Sequence, residues 1–217
     1  MPTAKRKKHR SNPEWIRRHL ADPFVKAATQ HGYRARSAYK LVQIDDRDKL
    51  LKPRSVVIDL GAAPGSWSQV VRERLADRHG VVRGRIVALD VLPIDPLPDV
   101  TFIQGDFRDA DVEAQLVAVL GGERADVILS DMAPNLSGIA AVDAARSGHL
   151  CELALAFAVA HLKPHGALLI KAFQGSGYSQ FVEALKRAFV SVAVRKPAAS
   201  RDSSSETYLL ARGLRQR

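Results

Sequence analysis

The sequence lacks several features that would each place it in a familiar class of protein. Its 217 residues include one cysteine, Cys151, which excludes an internal disulfide bond and any metal site built from several cysteines. No apolar run approaches the roughly 18–20 residues of a membrane-spanning helix, and no apolar segment follows the basic N-terminus as it would in a secretory signal. Internal repeats and low-complexity tracts are also missing. We therefore expect a cytoplasmic protein without a metal site or a membrane partner.

Acidic residues are fewer than basic ones, and the imbalance lies near the N-terminus. The chain has 33 lysines and arginines against 23 aspartates and glutamates, a net charge of +10. Up to Arg54 there are fifteen basic and five acidic residues, and the rest of the chain holds eighteen of each. A concentrated basic arm is typical of a surface that binds a polyanion, most often nucleic acid. On charge alone, a disordered solubilising tail explains the arm equally well.

From Ser55 onwards, strand and helix patterns alternate along the chain. Short apolar segments such as "SVVIDLG", "GRIVALDV" and "ALLIKAF" lie among amphipathic segments such as "SWSQVVRERLADRHG". This alternation predicts an α/β fold with a mostly parallel, seven-stranded sheet and helices on both faces. Only a polar loop separates the last two strands, "VSVAVRK" and "ETYLLARG", so we expect an antiparallel strand at one edge.

Aspartates lie near the ends of the first four predicted strands, where open α/β sheets bind their ligands. The first strand leads into "DLGAAPGSWSQ", and its glycine spacing differs from the G-x-G-x-x-G that binds a pyrophosphate, which disfavours an NAD-dependent oxidoreductase. S-adenosylmethionine has a ribose, an adenine and a cationic amino acid but no phosphate, so it suits a row of carboxylates. The candidate contacts for this cofactor are Asp59, Gly61, Gly65, Trp67, Asp90, Asp106 and Asp131.

These motifs occur together in one known family. In order and spacing, "RSAYKL", "DLGAAPGSWSQ", "ALDV", "GDF", "SDMAPN", "LLIKAFQG" and "SSETYLLARG" resemble the FtsJ/RrmJ-type ribosomal RNA 2′-O-ribose methyltransferases, from about Arg34 to Gly213. The sequence departs from the family at Ser66, where a second glycine is common, and we expect this small residue to keep the loop shape. The resemblance implies a Rossmann-like, S-adenosylmethionine-dependent methyltransferase domain over residues 34–217, preceded by a basic, partly flexible arm over residues 1–33.

The resemblance also implies a reaction and the residues that perform it. The implied reaction is 2′-O-methylation of a uridine in 23S, large-subunit rRNA within the assembled 50S subunit, and we expect the enzyme to be a monomer. The implied catalytic group is Lys40, Asp131, Lys171 and Glu206, in which Lys171 is usually assigned as the base. Phosphate contacts are expected from Lys5, Arg6, Lys7, Lys8, Arg10, Arg17, Arg18, Arg34 and Arg36.

The role of Lys171 stays open at the level of sequence. A lysine with its ordinary pKa of about 10.4 is protonated at neutral pH and cannot accept a proton. Burial and the nearby cation Lys40 would lower the pKa of Lys171, whereas Asp131 would raise it. Lys171 either removes the proton of the ribose hydroxyl or stays charged and orients the oxygen, and we give the orienting role at least equal weight.

Three other functions compete with this hypothesis. A methyltransferase of the same fold could act on tRNA or on a base, although base methylation of exocyclic nitrogens favours an Asn/Asp-Pro-Pro-aromatic motif and this chain has "DMAPN". The chain could also be an RNA-binding protein that keeps the fold without catalysis. The complete lysine, aspartate, lysine and glutamate set argues against that alternative.

Overall fold

A seven-stranded sheet runs through the residues that the computed structural model describes, which are 21–134, 137–202 and 204–215. The strands are β1 (Val56–Leu60), β2 (Arg85–Asp90), β3 (Val100–Gln104), β4 (Ala125–Ser130), β5 (Leu162–Phe173), β6 (Phe189–Arg195) and β7 (Glu206–Leu214). The helices are α1 (Pro23–Gln30), α2 (Ala38–Asp48), α3 (Ser66–Leu75), α4 (Ala110–Leu120), α5 (Ala140–His161) and α6 (Tyr178–Ala188). Across the sheet the strand order is β3-β2-β1-β4-β5-β7-β6.

Strands β1 to β5 are parallel, whereas β7 runs antiparallel to both of its neighbours, β5 and β6. The predicted α/β class, with a mostly parallel sheet and an antiparallel strand in its edge region, is confirmed. β7 lies one place in from the outermost strand, β6. This arrangement fits their composition, because β7 buries every residue from Glu206 to Ala211 while β6 leaves Val190 and Val194 exposed.

The strands bury alternate residues on the two faces of the sheet. From β1, Ile58 and Leu60 join the core that contains residues of α4, α5 and α6, whereas Val57 joins the core that contains residues of α2 and α3. Each fully buried side chain of this kind contributes about 1.5–3 kcal/mol to stability. Helices therefore cover both faces, as predicted. Across the described ranges, every helix is too short or too polar to cross a lipid bilayer.

The first described helix packs against α2. Asp22 caps α1 by accepting a hydrogen bond from the Phe24 amide at 2.9 Å, and its carboxylate pairs with Arg36 at 2.7 Å. The rings of Phe24 and Tyr39 lie 5.6 Å apart. The part of the predicted arm that follows residue 20 is thus in contact with the domain, and residues 1–20 lie outside the described residues.

Strand direction brings the predicted catalytic residues to one edge of the sheet. Because β4 and β5 are parallel, Asp131, just after β4, and Lys171, near the end of β5, lie at the same edge. β7 runs the other way, so its beginning meets the end of β5. Glu206 pairs with Phe173 and Tyr208 pairs with Lys171 across the two strands.

Candidate active site

A cavity of about 580 Å³ opens at the carboxyl ends of β1 to β4. This volume lies within the range of sites that hold a small molecule or cofactor. Four of the predicted cofactor contacts line the cavity: Gly61, Asp90, Asp106 and Asp131. The other three, which are Asp59, Gly65 and Trp67, do not form part of the cavity wall.

Two glycines shape the loop between β1 and α3. Gly61 has a φ of +78°, and a Cβ there would lie 2.8 Å from the backbone of Met132. Gly65 has a φ of +101°, and a Cβ there would lie 2.7 Å from Nη1 of Arg34. Both positions need glycine, because other residues strain the left-handed backbone and would collide with these neighbours. Gly65 therefore shapes the loop, although it does not line the cavity.

Ser66, the one departure from the family pattern, has a contact of its own. Its side chain is buried, and its Oγ lies 2.8 Å from the Oγ of Ser37, just before α2. The next residue, Trp67, is also buried and donates from Nε1 to the Ser37 carbonyl at 2.8 Å. These contacts connect the beginning of α3 to the beginning of α2. Ser66 therefore links the cavity loop to α2, which is the helix that carries Lys40.

Two carboxylates of the cavity wall are held in fixed positions. Asp90 accepts hydrogen bonds from the amides of Ala63 and Leu92, each at 2.8 Å. Asp106 accepts from the guanidinium of Arg108, with an Nε to Oδ1 distance of 2.9 Å. The hydrogen bonds from Arg108 lower the pKa of Asp106 to about 2, so this carboxylate is charged at neutral pH. Such acceptors fit a ligand that presents hydroxyl and amino donors.

Asp59, near the end of β1, does not line the cavity and is fully buried, with 0% of its surface exposed. Its Oδ2 accepts a hydrogen bond from Ser68 at 2.7 Å, whereas Oδ1 has no partner among the described residues. The pKa of Asp59 is raised to about 7, mainly by burial and also by the nearby charges of Asp131 and Asp90, against the lowering effect of the hydrogen bond from Ser68. An unpaired buried carboxylate is a costly arrangement.

The four predicted catalytic residues come together as two ion pairs. Lys40 contacts both carboxylate oxygens of Glu206, at 2.7 and 2.8 Å. Lys171 lies 3.1 Å from the Oδ1 of Asp131 and donates to the Asp131 main-chain carbonyl at 2.6 Å. All four side chains are largely buried, with exposures between 8% for Lys171 and 18% for Asp131. The two ion pairs therefore form entirely between residues of the protein.

Burial alone would raise the pKa of Glu206, but its partners outweigh this effect. Lys40, a hydrogen bond from Ser200 and the charge of Lys171 together hold the pKa of Glu206 below its ordinary value. The Ser200 hydroxyl donates to Oε1 of Glu206 at 2.8 Å. Glu206 is consequently charged at neutral pH and fixes the position of Lys40.

Tyr208 connects the two ion pairs and was missed by the sequence analysis. Its hydroxyl donates to Oδ1 of Asp131 at 2.9 Å, and the Nζ of Lys40 lies 5.7 Å from the centre of its ring. The same ring lies 5.6 Å from that of Trp67. Burial, followed by the charges of Asp131 and Glu206, raises the pKa of Tyr208 well above its ordinary value. Its place two residues after Glu206, on the same strand face, is the signal that could have identified it.

Two of the residues predicted to contact RNA phosphates have partners within the protein. Arg34 donates to main-chain carbonyls beside the cavity. Arg36 pairs with Asp22 and donates to the carbonyl of Ala199. A role for either in RNA binding stays a prediction. The other candidates, which are Lys5, Arg6, Lys7, Lys8, Arg10, Arg17 and Arg18, lie outside the described residues.

Comparison with known proteins identifies relatives over nearly the whole chain. The model of the FtsJ-like methyltransferase family matches residues 33–214. The chain is 58% identical to a Burkholderia ambifaria protein named Ribosomal RNA large subunit methyltransferase E, over 96% of this chain and 98% of that protein. A Bordetella pertussis protein of the same name is also 58% identical, over 96% and 99% of the two chains.

Solved structures share the fold. A Plasmodium falciparum protein assigned as a ribosomal RNA methyltransferase is 31% identical, with a TM-score of 0.75 and coverage of 85% of this chain and 100% of that one. A Streptococcus mutans protein assigned as a methyltransferase, in complex with SAH, has a TM-score of 0.52 at 15% identity, over 81% and 97% of the two chains. At that identity, the second likeness shows the fold alone.

Proposed function

The chain belongs to the FtsJ-like methyltransferase family, and we propose that it methylates the ribose 2′-hydroxyl of a uridine in 23S, large-subunit rRNA within the assembled 50S subunit. The observation that carries this proposal is the convergence of Lys40, Asp131, Lys171 and Glu206 at the sheet edge that holds the cavity. The names of the relatives support large-subunit rRNA as the substrate. We expect a cytoplasmic monomer.

S-adenosyl-L-methionine is the cofactor that we assign to the cavity. The carboxylates of Asp90 and Asp106 are placed to accept hydrogen bonds from ribose hydroxyls and from an adenine amino group. The backbone at Gly61 leaves space that a Cβ would fill. The acids of the wall suit a ligand with a cationic end and no phosphate. The residues present thus fit this cofactor.

When bound, S-adenosylmethionine supplies a methyl group on a cationic sulfur, so that the ribose oxygen gains the methyl, the carbon–sulfur bond breaks and the hydroxyl proton leaves. The protein has to align the hydroxyl and stabilise the charge that develops on its oxygen. Lys171 is positioned for both tasks. Its ammonium group has three hydrogens, and contacts with Asp131 use two of them. The third is available to a substrate oxygen.

We propose that Lys171 acts mainly by orienting the 2′-oxygen rather than by removing its proton. The ammonium is held in place by one carbonyl and one carboxylate of Asp131. The charge of the second lysine, Lys40, is compensated by Glu206. In this arrangement the proton leaves late, to solvent, while Lys171 stabilises the oxygen. The alternative, in which neutral Lys171 is the base, predicts a different pH dependence.

The decisive experiment maps 2′-O-methylation across rRNA and tRNA in cells that lack the protein. The cells are then supplied with the wild-type chain or with Lys171→Met, which serves as the matched catalytic control. We expect one uridine of 23S rRNA to lose its methyl group without the protein and to regain it only with the wild type. Restoration at a tRNA position instead would overturn the substrate assignment. Unchanged methylation at every site would favour a non-catalytic RNA-binding protein.

Purified substrates distinguish the stage at which the enzyme acts. Free 23S rRNA and assembled 50S subunits, both from cells without the protein, are incubated with labelled S-adenosylmethionine. We expect methyl transfer to the assembled subunit and much less to the free RNA. Equal or greater transfer to free RNA would contradict the assignment of the 50S subunit as the substrate.

A further inference from the structure

Arg34 occupies a position that its sequence context does not reveal. Its Nη1 donates to the carbonyls of Pro64, at 3.1 Å, and Asp95, at 2.7 Å. Its Nη2 donates to the carbonyl of Pro96 at 3.0 Å. One guanidinium thus joins the loop between β1 and α3 to the loop between β2 and β3, and these two loops contribute residues to the cavity wall.

We propose that Arg34 is a positioning residue for the cofactor, which holds the loop of residues 61–65 in its binding conformation, and that it is not a phosphate contact. The inference rests on the proposed use of S-adenosylmethionine. A rigid, planar guanidinium spreads five N–H donors over a fixed fork, whereas a lysine carries its three donors on one rotatable nitrogen and is less suited to joining two loops. The three hydrogen bonds from Arg34 satisfy loop carbonyls that water would otherwise hydrate. They also restrict the movement of the two loops that carry these carbonyls.

The backbone around Arg34 is itself fixed to α3. The Arg34 amide donates to the side chain of Gln69 at 2.8 Å, and the amide group of that side chain donates to the Gly32 carbonyl at 2.9 Å. The hydroxyl of Tyr33 donates to Glu73 at 2.6 Å. Arg34 therefore extends from an anchored segment, and its guanidinium is held by the three carbonyls that accept from it.

The loop is also shaped to receive the guanidinium. A Cβ on Gly65 would lie 2.7 Å from Nη1 of Arg34 and 3.2 Å from a methyl group of Leu97. The glycine backbone and the arginine therefore occupy adjoining space without room for a further carbon. Close packing of this kind couples the conformation of the loop to the presence of the guanidinium.

The experiment compares cofactor affinity with RNA affinity in Arg34→Gln and Arg34→Lys. Calorimetric titration with S-adenosylhomocysteine measures the first, and rRNA binding at several KCl concentrations measures the second. Loss of the hydrogen bonds from Arg34 to the two loops should weaken S-adenosylhomocysteine binding by about tenfold in Arg34→Gln, a difference of about 1.4 kcal/mol. The effect in Arg34→Lys should be smaller. The salt dependence of RNA binding should not change. Arg78→Gln is the matched control, since this exposed arginine contacts His79 and not the cavity loops.

An affinity for S-adenosylhomocysteine within about twofold of wild type would overturn the proposal. So would a fall of about one in the slope of log affinity against log salt, because that is the mark of a lost phosphate contact.

Hydrogen exchange separates this proposal from the proposed function. The amides of Gly61 and Ala62 donate to the Leu89 carbonyl at 2.9 and 3.1 Å, and they report on the loop without any ligand. Faster exchange of these amides in Arg34→Gln, together with unchanged exchange of the strand amides, would support the role of Arg34 in holding the loop. Unchanged loop exchange would overturn it. If the wild type failed to bind S-adenosylhomocysteine, the proposed function would fall, and exchange alone would decide the role of Arg34.

Discussion

The proposed catalytic edge, which consists of Lys40, Asp131, Lys171, Glu206 and Tyr208, differs from the proposed cofactor cavity in how its charged groups are satisfied. At the catalytic edge, each lysine meets a carboxylate, and Tyr208 connects the two pairs. In the cavity wall, backbone amides hold Asp90 and the exposed Arg108 holds Asp106. Asp59, which is buried and does not line the cavity, keeps one oxygen without a partner among the described residues. The carboxylates of the catalytic edge are therefore paired with lysines, whereas those in and near the cavity are held by backbone amides, by an exposed arginine or, at Asp59, only in part.

The same contrast appears in the supporting backbone. Lys171, Glu206 and Tyr208 lie on neighbouring strands in fixed register. The cavity wall is instead built largely from loops that follow strands, which depend on glycine conformations and on side-chain braces. Side chains on strands are placed more exactly than those on loops. Substitutions at the catalytic edge should consequently change the rate of methyl transfer, and substitutions around the cavity should change cofactor affinity or stability.

The largest effect is expected for Lys171→Met. It removes the ammonium group that would contact the substrate oxygen, so the single-turnover rate of methyl transfer should fall by about 10³-fold. Affinity for S-adenosylhomocysteine, measured by calorimetry, should stay within about twofold, since Lys171 does not line the cavity. A comparable loss of affinity would break the distinction between the two regions.

The pH profile of the same single-turnover rate tests what Lys171 does. An orienting lysine predicts a nearly flat profile around neutral pH in the wild type. A rate that climbs with the ionisation of a group, and that loses this climb in Lys171→Met, would identify Lys171 as the base. Lys171→Arg is the matched control, since it keeps the charge but changes the geometry.

The next largest effect concerns stability and belongs to Asp59. Its pKa is raised from 3.8 to about 7 in the folded protein, so the folded state holds a proton that the unfolded state releases. This contribution is fully present below pH 4 and is lost as the pH rises to about 7; at about 1.4 kcal/mol per pKa unit it amounts to up to about 4 kcal/mol. Asp59→Asn cannot titrate, so its free energy of unfolding should vary less over this range.

Urea unfolding at a series of pH values between 4 and 8 measures the difference. Asp111→Asn, which changes an exposed acid at the start of α4, is the control for the loss of one negative charge. It should follow the wild-type dependence. If Asp59→Asn followed that dependence as well, the carboxylate of Asp59 would not titrate in this range, and the cavity would be no less satisfied than the catalytic edge.

Much of the fold could be predicted because it depends on local patterns. The alternation of apolar strands and amphipathic helices is visible in the sequence, and parallel strands necessarily bring their carboxyl ends to one edge. The place of β7 between β5 and β6 is different. This order depends on whether β6 or β7 buries more apolar surface when it is part of the whole sheet. A short sequence segment does not reveal that difference.

The site was predictable where residue identity implies chemistry. The resemblance to a known family implied the two lysines and two carboxylates, and the structure brings Lys40, Asp131, Lys171 and Glu206 together. Partners from distant parts of the chain were not predictable. Tyr208 resembles an ordinary core aromatic on an apolar strand, and Arg34, 30 residues from Pro64, resembles an ordinary surface cation.

Tyr208→Phe tests the connection between the two ion pairs and should have a moderate effect. The hydrogen bond to Asp131 is lost while the ring still packs beside Trp67. Because hydrogen bonds to charged groups are worth about 1.5–3 kcal/mol, the single-turnover rate should fall by about tenfold or somewhat more. Thermal stability should fall by several degrees, because the same hydrogen bond stabilises the folded state, whereas affinity for S-adenosylhomocysteine should change little. An unchanged rate would show that Asp131 is held by Lys171 alone.

The smallest effect is expected for Ser200→Ala. The variant loses one hydrogen bond to Glu206 but keeps the Lys40 pair, so the rate at neutral pH should fall by about threefold or less. The lowered pKa of Glu206 should also move back towards its ordinary value, because one of the contacts that lower it is gone. Any decline of the rate in acid should therefore begin at a higher pH than in the wild type. Ser205→Ala, an exposed serine of the same loop, is the matched control and should leave the profile unchanged. An unshifted profile for Ser200→Ala would mean that the two lysines, Lys40 and Lys171, are sufficient to maintain the charge of Glu206 without the serine.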